Sequence, residues 1–200
     1  MEKQQAIMIS APNFDVTAIN ISGITPLICH RFSEKERAKL DQPKTSKKAP
    51  REARDPDGDY KRSMYVMEDG RYGFPAAAFR LAMVRAAKHI DGLDMTSARV
   101  LFVVIADGRT EAGEECVALV GEPQMREDVV RVQRGGSTRR YRGEFLDWAA
   151  TVRIRYDADL IGPDSLASLL IRAGMTVGVG EWRPEKNGTY GQFTIEGQSQ

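Results

Sequence analysis

Between Arg131 and Arg142 the chain carries five arginines and no acid: Arg131, Arg134, Arg139, Arg140 and Arg142. The flexible spacers Gly135, Gly136, Ser137 and Thr138 lie among them, and Tyr141 sits next to the last arginine. An arginine offers a planar fork that matches phosphate oxygens and stacks on bases. A basic hairpin with an aromatic beside it is the chemistry of a single-strand clamp. The same residues would also serve as a solvated, salt-bridged loop.

A second group follows at Gly178, Gly180, Trp182, Arg183 and Lys186. Glycines let a backbone approach a phosphate chain and present N–H donors to it. Trp182 could stack on a base, and Arg183 or Lys186 could pair with a phosphate. The alternative is that the glycines make a tight turn and Trp182 belongs to the core.

Catalytic and cofactor signatures are missing. His30 and His89 are the two histidines, and Cys29 and Cys116 the two cysteines. Their spacing fits no zinc site, and neither cysteine belongs to a CxxC pair. The expectation is two reduced thiols in a cytosolic protein. His30 follows a strand and could act as a general base in a nuclease-like site, or be packed at the strand end. His89 near a helix C-terminus reads as structural. Asp55, Asp57 and Asp59 alternate around Gly58, but a calcium loop would need a Gly at its sixth position and a Glu at its twelfth. There is no nucleophile elbow and no phosphate-binding P-loop. Nothing specifies an enzyme, and neither cofactor nor metal is expected.

These residues belong to a chain of 200 residues with 29 Lys/Arg and 28 Asp/Glu, a net charge of +1. That length suits one domain, taken as 1–200, with an extended arm. No apolar run approaches a membrane span and no signal peptide is evident, so a cytoplasmic location and no membrane partner are expected. The near-zero charge is a sum of opposed regions. Segment 31–62 has eleven Lys/Arg against seven Asp/Glu, and 126–142 has six Arg against two acids, each a balance of +4. The remainder then carries −7.

The elements that must position these groups follow from periodicity. Thr17, Ile19 and Ile21 share one face of a strand that Gly23 and Pro26 interrupt. Residues 33–62, rich in Pro and charge, predict an exposed arm or mobile loop. Tyr65 to Phe74 predicts a hairpin turning at Asp69-Gly70. Pro75 opens a helix over about 75–90, with Phe79, Ala82, Met83, Ala86 and Ile90 on one face and Arg80 and Arg85 on the other. Val100–Ala106 predicts a central strand, with shorter strands at Cys116–Val120 and Val129–Val132. Val152, Ile154 and Tyr156 alternate with Arg153 and Arg155, a half-buried strand with a basic outer face. Pro163 opens a second helix that Gly174 closes. Two main helices among strands predict an α+β, ferredoxin-like or RRM-like core with a mainly antiparallel sheet and a long inserted arm.

Two stretches resemble a known family. Gly70–Ala87, with Pro75, the small residues Ala76–Ala78, Arg80 and Arg85, is similar to the strand-to-helix junction of the RAMP superfamily, the RNA-binding subunits of CRISPR effector complexes. Gly178–Phe193 is similar to the glycine-rich loop of that superfamily, which lies against the RNA backbone. The whole chain also resembles an uncharacterised family of tailed phages and prophages, through Thr25-Pro-Leu with His30-Arg-Phe, Met125-Arg-Glu-Asp128, and Gly178-Val-Gly-Glu-Trp-Arg-Pro-Glu-Lys186. The resemblance implies a phage-encoded, non-catalytic binder of single-stranded RNA or DNA that assembles as a homo-oligomer or filament. Its setting would be phage replication, recombination or counter-defence. The binding residues it and the charge pattern imply are Arg80, Arg85, Arg131, Arg134, Arg139, Arg140, Tyr141, Arg142, Gly178, Gly180, Trp182, Arg183 and Lys186. The rivals are an interaction protein whose basic loops hold an acidic partner or a phage assembly component, and a metal-independent RNase using His30.

Overall fold

The computed structural model describes residues 11–32, 55–132 and 136–197. The opening strand β1 spans Phe14–Gly23 and buries Ile19 and Ile21, as its period-two pattern predicts. The chain breaks at Gly23 and restarts as the two-residue β2, Leu27–Ile28, in a different sheet. Residues 33–54 of the expected arm lie outside the described residues. Its last stretch differs from the expectation: Pro56–Arg62 is a helix, α1. The Asp55 carboxylate accepts from the Gly58 N–H at 2.9 Å, and Asp59 pairs with Arg62 at 2.8 Å. Two of the three alternating aspartates therefore do helix-capping and ion-pair work.

β3 (Tyr65–Val66) and β4 (Tyr72–Pro75) form the expected hairpin. Pro75 caps α2, Ala76–Ala86, which a 3₁₀ turn extends to His89. The run after it differs from expectation. Asp94 caps a short helix α3, Met95–Leu101, by accepting from the Thr96 and Ser97 N–H groups at 2.7 and 3.0 Å. Strand β5 is only Phe102–Ile105. A continuous apolar run does not by itself separate strand from helix, and here the cap decides.

β6 (Gly108–Arg109) and β7 (Glu115–Val120) lead to the long hairpin of β8 (Pro123–Val132) and β9 (Gly136–Phe145). β10 (Ala149–Asp157), α4 (Pro163–Thr176) and β11 (Phe193–Ile195) complete the chain. Gly174 does not close α4. It lies inside it, buried, where a Cβ would come within 2.0 Å of the Phe193 carbonyl oxygen. It is there so that the helix can lie close on β11.

β1 pairs antiparallel with β10 on one side and β11 on the other, and β10 pairs antiparallel with β5. The order β11-β1-β10-β5, with α2 linking β1 to β5 and α4 linking β10 to β11, is the split βαβ, ferredoxin-like arrangement. The chain is thus α+β with antiparallel sheets. Phe79, Ala82 and Met83 of α2 meet Leu166, Leu169 and Leu170 of α4 in the core over one sheet face. The second sheet, β2-β9-β8, stands apart.

Candidate nucleic-acid interface

The β8–β9 hairpin divides into two halves. In its inner half the register sets Arg126 opposite Arg142 and Gln124 opposite Glu144. Two arginines face to face would repel, so carboxylates must separate them. Asp128 does so: Arg126 Nε donates to its Oδ1 at 2.9 Å, and Arg142 Nη1 to its Oδ2 at 3.3 Å. Arg126 Nη1 also donates to Glu144 at 2.6 Å, and Gln124 donates to the other Glu144 oxygen at 3.0 Å. Arg142 is 1% exposed and lies 3.8 Å from the Glu181 carboxylate.

This cluster docks on the loop after α4. The Arg126 and Arg142 guanidiniums sit 5.4 and 5.2 Å from the Trp182 ring centre, and Arg126 lies 4.9 Å from the Tyr190 ring centre. All three are cation–π distances. Burial works against the charge of Arg126, but its bonds to Glu144, Asp128 and Tyr190 outweigh it and raise its pKa above the usual value. For Arg142 burial wins, and its pKa is lowered. Its buried Nε has no hydrogen-bond partner among the described residues.

The outer half is different. Along β9 the first six positions, Gly136–Tyr141, are exposed or half-buried and the last four are buried. From Val129 to Tyr141 the described residues carry Arg131, Arg139 and Arg140 and no carboxylate. Arg139 reaches back to Glu127 at 3.3 Å and is 62% exposed. Its bond to the Tyr141 hydroxyl, with Glu127 nearby, raises its pKa. Among the described residues Arg131 and Arg140 make no ion pair. Arg134 lies outside the described residues.

The loop after α4 is knitted to the first strands. Gly178 and Gly180 have φ of +69° and +82°, and a Cβ on Gly180 would stand 2.7 Å from the Ile28 carbonyl oxygen. The Glu181 N–H donates to that same oxygen at 3.0 Å. The glycines therefore face protein. Residues 25–32, 125–128 and 178–186 meet here, as do 70–87 and 178–193. A cleft of about 210 Å³ lies between them, lined by His30, Ala78, Leu81, Arg85, Gly178 and Glu181 among others. That is below the usual size of a small-molecule site.

Most cations around the cleft already have protein partners. Arg85 and Arg183 both bind the Glu185 carboxylate, Arg183 at 2.9 Å, and Arg183 also donates to the Gly180 carbonyl at 3.0 Å. Arg80 donates to the Phe102 and Arg99 carbonyls at 3.3 and 2.5 Å, closing the end of α3. Lys186 is exposed. Trp182 is half-buried with φ of +50° and is occupied by the two arginines. Of the residues expected to bind, Arg131, Arg139 and Lys186 are exposed, and Arg140 and Tyr141 are half-buried. Arg80, Arg85, Arg142, Arg183, Trp182, Gly178 and Gly180 are engaged in the scaffold.

Sequence reasoning missed the bridging roles of Asp128, Glu144 and Tyr190. The alternation Arg126, Asp128 on one strand and Arg142, Glu144 on its neighbour was the available signal, once the hairpin register is known. The basic outer face expected at Arg153 and Arg155 also carries Phe14, 64% exposed and 5.9 Å from the Arg155 guanidinium. Among the described residues no cluster of His, Cys, Asp and Glu could hold a metal, and no helix is long and apolar enough to cross a membrane.

No protein family matches the sequence, and no curated protein does. Among solved structures the chain is similar to Cmr6 from Pyrococcus furiosus, with 11% identity over 94% of this chain and 100% of that one, at a TM-score of 0.42. At that score the likeness is a distant one in the course of the chain, and it carries no residue roles across.

Proposed function

We propose that this protein binds single-stranded nucleic acid, without cutting it, through the outer half of the β8–β9 hairpin. The carrying observation is the acid-free stretch from Val129 to Tyr141, which projects Arg131, Arg139 and Arg140 from a hairpin whose inner half is anchored. Guanidiniums on a projecting strand can follow a phosphate chain, and Tyr141 supplies a ring for a base. Lys186 stands on the neighbouring loop as a further phosphate contact. The protein works as a homo-oligomer. The setting is the one the phage resemblance implies, in the cytoplasm of a bacterial host.

Labelled single-stranded RNA and DNA, titrated at several salt concentrations, test this reading. Phosphate contacts predict affinity that falls steeply as salt rises. Absence of binding to both at low salt would overturn the reading. The oligonucleotide should remain intact through long incubation. Cleavage that His30→Ala abolishes would replace the non-catalytic part, since His30 lines the cleft.

A further inference from the structure

Among the described residues strand β8 is the edge of its sheet, paired along its ten residues with β9 alone. Which of its backbone groups point outward follows from β9. The Gly143 carbonyl accepts from the Cys29 N–H at 2.8 Å, and the Gly143 N–H donates to Ser63 Oγ at 2.8 Å. Both groups of Gly143 thus turn away from β8. In an antiparallel ladder bonded and non-bonded pairs alternate, so the partners of Gly143, Tyr141, Arg139 and Ser137 are the non-bonded ones. Those partners are Met125, Glu127, Val129 and Arg131, and their N–H and C=O groups face outward. Pro123 shares the parity, and its carbonyl accepts from the Tyr60 hydroxyl at 2.9 Å. Among the described residues nothing bonds the outward groups from Met125 to Arg131.

Such an edge is a template for another strand unless charges forbid it. Here the charges forbid most registers of self-pairing and favour one. A two-fold axis at Glu127, Asp128 or Arg131 would set like charges against each other. An axis at Val130 would leave Glu127 and Arg131 opposite neutral residues. An axis at Val129 places Glu127 opposite the partner's Arg131, and Arg131 opposite the partner's Glu127, with the two Val129 side chains meeting between them. Val129 is 69% exposed, and Glu127, Met125 and Arg131 share its open face.

We propose that β8 pairs antiparallel with β8 of a second copy in this register, joining two β2-β9-β8 sheets into one. Each facing outward pair exchanges two hydrogen bonds, and opposite charges across the strands add to them. The contact supplies a surface for the homo-oligomer of the preceding section and rests on that part of it; it takes Arg131 into the joint and leaves Arg139, Arg140, Tyr141 and Lys186 for the nucleic acid. The two hairpins run in opposite directions, so their arginine-bearing ends point to opposite ends of the joined sheet.

Sedimentation of the full chain over a concentration series, without oligonucleotide, tests the pairing. The native chain should form dimers. Glu127→Arg and Arg131→Glu should each weaken dimerisation by about tenfold or more, since each turns both cross-strand pairs into like-charge pairs. An equimolar mixture of the two variants should regain the dimer, because each then meets its opposite charge twice. A native chain that stays monomeric overturns the proposal and leaves the edge to another occupant. A dimer indifferent to both variants, or a mixture that does not recover, also overturns it. A titration of the native chain with oligonucleotide separates the two readings: binding by a monomeric chain defeats the edge pairing alone, and a dimer that binds nothing defeats the nucleic-acid reading alone.

Discussion

The two halves of the β8–β9 hairpin use one residue type for opposite ends. In the inner half Arg126 and Arg142 are held by Asp128, Glu144 and the rings of Trp182 and Tyr190. In the outer half Arg131, Arg139 and Arg140 lie on strands with no acid between Val129 and Tyr141. The inner arginines join the second sheet to the loop after α4, and the outer ones are exposed or half-buried. Segment charge counts both groups alike. Only the three-dimensional pairing shows which cations are locked into a buried cluster and which stand near the surface.

The sharpest way to break this division is to remove one arginine from each half. Arg142→Ala removes a buried guanidinium from between Asp128 and the Trp182 ring, leaving Asp128 with Arg126 alone, and should cost about 3 kcal/mol. For a domain of this size that lowers Tm by about 10 °C. Arg139→Ala should leave Tm unchanged. Calorimetry or thermal circular dichroism reads both, and equal effects would erase the distinction. The next effect is on binding. Replacing Arg131, Arg139 and Arg140 together with Ala should weaken single-strand affinity by about a hundredfold at low salt and flatten the salt dependence by about three phosphate contacts. Tyr141→Ala should cost about tenfold, without altering the salt slope, if its ring stacks on a base.

The smallest effect uses a reporter already in the chain. Cys29 donates its N–H to Gly143 in the inner half. Burial, with Cys116 nearby, pushes its thiol up to about 12, and burial pushes Cys116 to about 11. A raised thiol pKa keeps the group protonated at pH 8, so alkylation of the native chain should be slow. Arg142→Ala should speed it, and the triple outer-half variant should not.

Much of the fold was legible because it rests on periodicity. The β1 face of Ile19 and Ile21, the Asp69-Gly70 hairpin, the Pro75 and Pro163 helix starts and the antiparallel ferredoxin-like order all follow from local pattern. α3 was missed because Asp94 with Ser97 is a quieter signal than the apolar run that follows it. Gly174 looked like a helix stop because a glycine needed for close packing and a glycine needed for a turn are the same letter. At the site, the arginine-rich stretch stood out at once. What sequence could not show was the pairing of Arg126 with Asp128 and Glu144, which depends on a strand register fixed at long range. Nor could it show that Gly180 faces the Ile28 carbonyl, a contact between segments some 150 residues apart.

The most direct test of the division is a salt titration of single-stranded RNA binding by the native chain and by the Arg131, Arg139, Arg140→Ala triple variant, with Tm measured on both. The account predicts that the native chain binds with a steep salt slope. The variant should lose most of that affinity and slope while its Tm stays the same. A variant that binds like the native chain, or that loses binding only because its Tm has collapsed, would contradict it.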